Sequence, residues 1–126
     1  MFATENKIIP FYTSRGDALV FMLFPYLYNR LGEWVGWVTP GKEVYSILGK
    51  YVGYVSNDHR ILRQRYTEIS KSDLIPPPHP KHVMPPATIP LAPLMSELLY
   101  STVDVLLEEP GRLHTIDSGE FKKDLD

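Results

Sequence analysis

Few side chains in this sequence stand at spacings that do chemistry, and each such set has a plainer structural reading beside it. His79 and His82 are three residues apart in His79-Pro80-Lys81-His82. Polyproline geometry repeats every three residues and would align the two rings. Two neutral imidazoles without a third ligand or a nearby carboxylate make a weak zinc site, so the pair reads as chance spacing in a loop. Arg60, Arg63 and Arg65, with Arg30 and Lys50, could form a patch for an anionic partner. The simpler reading is a solvated rim, or a set of partners for the acidic tail. Trp34, Trp37, Tyr51 and Tyr54 offer flat rings for a sugar or another planar ligand, yet rings at strand positions usually fill the core of a small β domain.

His59 lies in a turn and His114 near the end, neither with a Ser or Asp partner in sequence. No Ser-His-acid set, phosphate-binding glycine loop or telling pair of carboxylates is visible, and the absence of cysteine removes thiolate nucleophiles, thiolate metal sites and disulfides together. The expectation is a protein that is not an enzyme and holds no metal or cofactor. A formal net charge of -2 argues against nucleic acid as a main partner, which usually needs a basic surface. The apolar run from Ala18 to Leu27 contains Pro25 and falls far short of the roughly 20 residues that span a bilayer. The opening Met1-Phe2-Ala3-Thr4-Glu5-Asn6-Lys7 lacks the pattern of a secretory signal. A soluble, cytoplasmic protein with no membrane partner is expected.

The elements that would position these residues are repetitive. Tyr12-Thr13-Ser14-Arg15-Gly16, Tyr28-Asn29-Arg30-Leu31-Gly32 and Tyr45-Ser46-Ile47-Leu48-Gly49 share one frame, a tyrosine four residues before a glycine. The last two continue as Glu33-Trp34-Val35-Gly36-Trp37-Val38 and Lys50-Tyr51-Val52-Gly53-Tyr54-Val55. Aromatic and β-branched runs of this length are strands, and the glycine-ended stretches before them are hairpin turns whose glycine takes a positive φ. Thr39-Pro40-Gly41-Lys42 carries Pro then Gly as a type II turn wants them, and Ser56-Asn57-Asp58-His59 supplies the matching connection. A fourth, worn copy covers Arg60 to Ile69, where Tyr66 replaces the glycine; its turn should differ, or its hairpin fail to close. Gly36 and Gly53, inside strands, are expected to let a neighbouring backbone or ring come close. Trp34 and Trp37 alternate to opposite faces, so only a bulge would bring them to one side.

The stretch from about Pro10 to Arg65 resembles the bacterial 4-fold beta flower proteins, through the repeated Tyr-x-x-x-Gly followed by Val-Gly-Trp-Val or Val-Gly-Tyr-Val. The resemblance implies a mainly β fold of three to four hairpins around a pseudo-fourfold axis, and it brings no catalytic motif with it. The departures are the missing fourth glycine and the long C-terminal extension.

That extension differs in composition. Eight of the twelve prolines fall between Leu74 and Pro93, which favours an extended polyproline path. Leu94, Met95, Leu98, Leu99, Val103, Leu106 and Leu107 then follow at three- and four-residue spacing, which predicts an amphipathic helix over 94–109, stopped by Pro110-Gly111. The organisation read from the sequence is a β domain over 1–72, a connector over 73–93, this helix, and a fraying polar tail over 110–126. The first 70 residues carry a small basic excess and the remainder an acidic one, read as a solvation bias rather than docking. The expected function is a binding or assembly protein whose arm, residues 74–109, associates with another copy or a larger complex. Leu94, Met95, Leu98, Leu99, Val103 and Leu106 would meet the partner, and Trp34 and Trp37 would be the receiving surface. The alternative is a small-ligand module using the aromatic face.

Overall fold

Eight strands follow one another in chain order through a single sheet, each antiparallel to the next. They are β1 (Ile9–Tyr12), β2 (Ala18–Leu23), β3 (Tyr26–Tyr28), β4 (Trp34–Val38), β5 (Glu43–Ser46), β6 (Tyr51–Val55), β7 (Ile61–Gln64) and β8 (Thr102–Asp104). The computed structural model describes residues 7–66 and 71–116. Expectations about Met1 to Asn6, about Thr67 to Ile69 and about the tail from residue 117 onward lie outside the described residues. The two aromatic runs are β4 and β6, as their composition predicts. The sheet curls until its ends approach: the Tyr12 N–H donates to His59 O at 2.8 Å, and the Ser14 N–H donates to Asp104 Oδ2 at 2.7 Å.

One turn recurs at five places, beginning at Thr13, Asn29, Thr39, Ser46 and Ser56. The N–H of each first residue donates to the carbonyl four residues on, and its own carbonyl accepts from the N–H three residues on. The side-chain oxygen of each first residue also accepts a backbone N–H inside the turn, as Asn29 Oδ1 does from the N–H groups of Leu31 and Glu33. Such a loop puts its fourth residue in the left-handed region. Gly16, Gly32 and Gly49 hold φ of 90°, 81° and 82°, and Lys42 and His59 hold 68° and 64°. The type II reading of Thr39-Pro40-Gly41-Lys42 is thereby corrected. The positive φ falls on Lys42 rather than Gly41, because the strand after the turn is set by the Thr39–Glu43 pairing and not by the Pro-Gly dipeptide.

Beside three of these turns the pairing slips. Leu27 faces Gly36 and Tyr28 faces Trp34, with equivalent slips at Phe11/Tyr12 and Val44/Tyr45. The bulge skips Val35 and sorts the side chains of β4. Val35 and Val38 enter the main core with Phe11, Val20, Leu27 and Val44. Trp34 and Trp37 come to one side, with Tyr28 and Ile47 in a second cluster. Gly36 and Gly53 permit close approach as expected: an added Cβ would lie 2.6 Å from Tyr45 O at the first and 2.4 Å from Leu62 O at the second.

The helix over 94–109 is not formed. Residues 91–99 are without regular structure, Thr102–Asp104 is strand, and only α1 (Val105–Glu108) is helical, capped by Asp104, whose Oδ1 accepts from the Leu107 N–H. Tertiary pairing overrides the periodicity. With Tyr66 where the turn needs a glycine, the edge of β7 away from β6 has no local partner, so the chain returns after a long excursion and pairs Gln64, Arg63 and Leu62 with Thr102, Val103 and Asp104. Val103, Val105 and Leu106 then close the main core. The tail expectation also changes, since Pro110–Arg112 forms a 3-10 turn that delivers Leu113 into that core, against Gly36.

Between β7 and β8 the proline-rich arm passes across the glycine turns. The Leu74 N–H donates to Gly49 O at 2.9 Å and the Val83 N–H to Gly32 O at 3.1 Å. Nine residues further on, Ala92 lies beside Gly16. Gly32→Ala and Gly49→Ala are therefore expected to destabilise the protein more than Gly16→Ala. All three place an L-residue in the left-handed region, at about 1–2 kcal/mol. Only at Gly32 and Gly49 does the new Cβ collide with the arm, 1.7 Å from Val83 O and 2.0 Å from Leu74 O, against 3.9 Å to the nearest atom at Gly16. Urea midpoints of the three variants give the order; equal losses would contradict the close approach.

Candidate functional site

Prolines remove backbone donors but leave every carbonyl as an acceptor. The arm is thus acceptor-rich, and the sheet meets it with hydroxyl donors. Tyr26 donates to Pro78 O at 2.9 Å and Tyr12 to Pro90 O at 2.7 Å. Burial raises the Tyr12 hydroxyl above its ordinary pKa, which keeps it protonated as that bond requires. His79 sets its ring edge-on to Trp34 at 5.0 Å, and Val83 packs on the cluster around Trp34. Trp34 is 8% exposed, its indole N–H spent on Gly36 O, while Trp37 stacks on Tyr45 at 5.2 Å and donates to Ser46 O. The aromatic face therefore receives this chain's own arm. Tyr51 and Tyr54 are half-buried, with the Lys71 ammonium 5.4 Å from the Tyr51 ring.

The histidine pair is used for packing. His79 lies on Trp34, His82 Cε1 lies 3.0 Å from the place a Gly32 Cβ would take, and no group of three potential metal ligands occurs among the described residues. Arg60, Arg63 and Arg65 are held by partners within the fold, while Arg30 is exposed. Arg60 is 2% exposed and uses its whole fork: Nε and Nη2 to the Asp58 carboxylate, Nη1 to Ser14 Oγ, and Nη2 also to Ser96 O. It ties the first turn, the fifth turn and the arm together. Arg63 pairs with Glu109 at 2.6 Å and Arg65 with Glu108 at 3.0 Å. Lys50 pairs with Asp73 at 2.7 Å, and Lys71 with Glu43. Three of these pairs, Lys50–Asp73, Arg63–Glu109 and Arg65–Glu108, join a cation of the first 70 residues to an acid beyond them, and Lys71–Glu43 runs the other way.

Of the residues expected to meet a partner, Val103 and Leu106 are core at 0% and 4% exposure, because β8 and α1 carry them inward. Met95 and Leu98 are half-buried. Leu94 and Leu99 are exposed at 100% and 77%, together with Leu91 and Tyr100. The arm is fixed on both sides of them, by Tyr12 on Pro90 O and by the Arg65 N–H on Ser101 O at 2.6 Å.

A second feature escaped the sequence reading. Where β2–β3, β4–β5 and β6–β7 are joined, the curled sheet opens into a cleft of about 480 Å³. Phe11, Met22, Val38 and Val55 line it, with Lys42 and His59 also on its wall. The signal was present: Lys42 and His59 are seventeen residues apart, the same step that aligns Gly32 with Gly49. No protein family, no curated protein and no solved structure matches the chain. No helix among the described residues is long and apolar enough to cross a membrane.

Burial alone would raise the Asp58 carboxyl, but hydrogen bonds from Arg60 and Ser56 outweigh it and hold its pKa below the ordinary 3.8. A carboxylate whose folded pKa is depressed adds stability above its unfolded pKa, and loses it as the pH falls through the lower folded value. Asp58→Asn, which leaves the Arg60 charge buried without its counter-ion, is expected to cost about 3 kcal/mol at neutral pH. The gap between variant and parent should narrow below the ordinary carboxylate pKa, where the parent protonates. Urea unfolding across pH measures it; a gap constant down to strong acid would contradict the assignment.

Proposed function

We propose that the protein is a non-catalytic association module, and that the arm segment from Leu91 to Tyr100 is the part that meets a partner, a second copy or a member of a larger complex. The carrying observation is that Leu91, Leu94, Leu99 and Tyr100 are 95%, 100%, 77% and 73% exposed on a segment pinned at Pro90 and Ser101. Large apolar side chains gathered on one surface mark contact sites. A strapped segment also loses less conformational entropy on binding than a free tail does. Tyr66, 73% exposed and 6.3 Å from the Tyr100 ring, extends the same surface. Neither nucleic acid nor a membrane enters this reading, since the cations of Arg60, Arg63 and Arg65 are engaged within the fold.

The pseudo-fourfold arrangement belongs to the same proposal. In it, the four hairpins would be β1–β2, β3–β4, β5–β6 and β7–β8, the last closed by the arm in place of a turn. What supports it is the shared turn and the bulge beside it in the first three pairs. Residues that act on a reaction form no part of the proposal.

Leu94→Asp combined with Leu99→Asp tests the association. Light scattering of the parent at high micromolar concentration should give a mass above the monomer, or cross-linking in the native cell a defined partner. The double variant should lose either one with its urea midpoint unchanged. A monomeric parent whose partners the double variant retains would end this reading.

A further inference from the structure

We propose that the cleft at the β2–β3, β4–β5 and β6–β7 end of the sheet is a binding site for a small organic anion with an apolar body, in its simplest form a monocarboxylate. Alternation of strand direction places these three joins at the other end of their strands from the turns of Gly16, Gly32 and Gly49. The arm meets the β6–β7 join beside the cleft, through Arg60 on Ser96 O, but no described arm residue lines the cleft itself. A volume of about 480 Å³ suits a ligand of modest size. Its apolar body lies on Phe11, Met22, Val38 and Val55, which line the cleft from four strands.

The polar groups select the head of the ligand. Among the described residues no Asp or Glu lines the cleft, while Lys42 and His59 both do. The Lys42 ammonium enters none of the ion pairs among the described residues. His59 Nδ1 lies 3.3 Å from Pro10 O. A carbonyl only accepts, so Nδ1 carries a hydrogen and Nε2 is the ring nitrogen left for a ligand. The Ser56 hydroxyl is already spent inside its turn, donating to Asp58 and accepting from the Arg60 N–H. The Lys42 cation above an apolar floor suits an acid with a hydrocarbon body, and leaves a neutral alcohol without its strongest contact.

The backbone supplies an independent argument. Lys42 and His59 occupy the left-handed place that glycine fills in the three turns at the other end. Residues with side chains are strained there, and such strain gathers where a side chain is needed. At the arm end a side chain would strike the arm, and glycine stands there; at the cleft end the two side chains stand at the mouth.

The test uses the full chain, with octanoate and 1-octanol as probes of matched length, followed through the methyl NMR signals of Met22, Val38 and Val55. Octanoate should shift these signals saturably, with an affinity roughly tenfold or more above that of 1-octanol. Lys42→Gly should raise the thermal midpoint, because the strain leaves, and should remove the preference for octanoate. A lysine that merely closes the turn would lose stability or leave binding untouched. Absence of saturable shifts with octanoate, equal affinity for the two probes, shifts confined to Leu94 and Leu99, or an octanoate preference surviving Lys42→Gly would each overturn the proposal.

Discussion

A left-handed residue at the fourth place of a four-residue turn governs the path of five of the hairpins in this molecule. The loop it closes adds a bulge to three of the pairs it joins, and the bulge decides which side chains face which side. In β4 it sends Val35 and Val38 to the main core and brings Trp34 and Trp37 to the opposite side. Had alternation continued unbroken, the two tryptophans would have parted, and the surface on which the arm lies would not exist. The identity of the fourth residue then separates the two ends of the sheet. Glycine at one end lets a carbonyl of the arm press against the turn, and Lys42 and His59 at the other end project side chains.

The arm fits this surface for a reason of hydrogen-bond supply. A chain with many prolines is short of N–H groups and rich in carbonyls, so it cannot join a sheet as a strand. It needs donors that stand out from the sheet, and Tyr12 and Tyr26 provide them. Two of the N–H groups it retains go to turn carbonyls, Leu74 to Gly49 and Val83 to Gly32. Leu74, Val83 and Ala92 are nine residues apart in the arm, and the turns they meet are seventeen and sixteen apart in the sheet. One step of the arm thus matches one step of the hairpin series, in reverse order. Arg60, buried and held by Asp58, Ser14 and Ser96, fastens the far side of the wrap to the seam where the sheet's ends approach. An arginine in that position does what a lysine would not, because its planar fork serves three segments at once.

The main core is completed by residues that are distant in sequence. Val103, Val105, Leu106 and Leu113 come from beyond the arm, and they cover the main core that β1 to β7 leave open. The β domain and its extension are therefore not separable as a body and an appendage, since removing the extension would expose Phe11, Leu27 and Ile61 as well as the β7 edge. This also explains why the apolar periodicity of residues 94–107 is misleading. The spacing of the leucines is helical, but three of the apolar residues in that stretch answer to the core through a strand and one helical turn, while Leu94 and Leu99 answer to nothing within the fold.

Much of the β half was legible in the sequence because its signals are local. Positive-φ glycines follow from Tyr-x-x-x-Gly, strands from Trp34–Val38 and Tyr51–Val55, and close backbone approach from Gly36 and Gly53; each needs only the conformational limits of the residue concerned. The fate of Tyr66 was legible in part, as a turn that could not form. What took its place was not, for the partner of β7 lies some forty residues away and no local preference marks Thr102–Asp104 as a strand. The cleft was hidden for a similar reason: its wall is drawn from four strands and three turns, and only the curl of the whole sheet brings Phe11, Met22, Val38 and Val55 together beneath Lys42 and His59. Backbone conformation is decided by a residue and its neighbours. Which surfaces are covered, and which remain open, is decided by where a returning chain happens to find donors and apolar area, and that exists only once the sheet has curled.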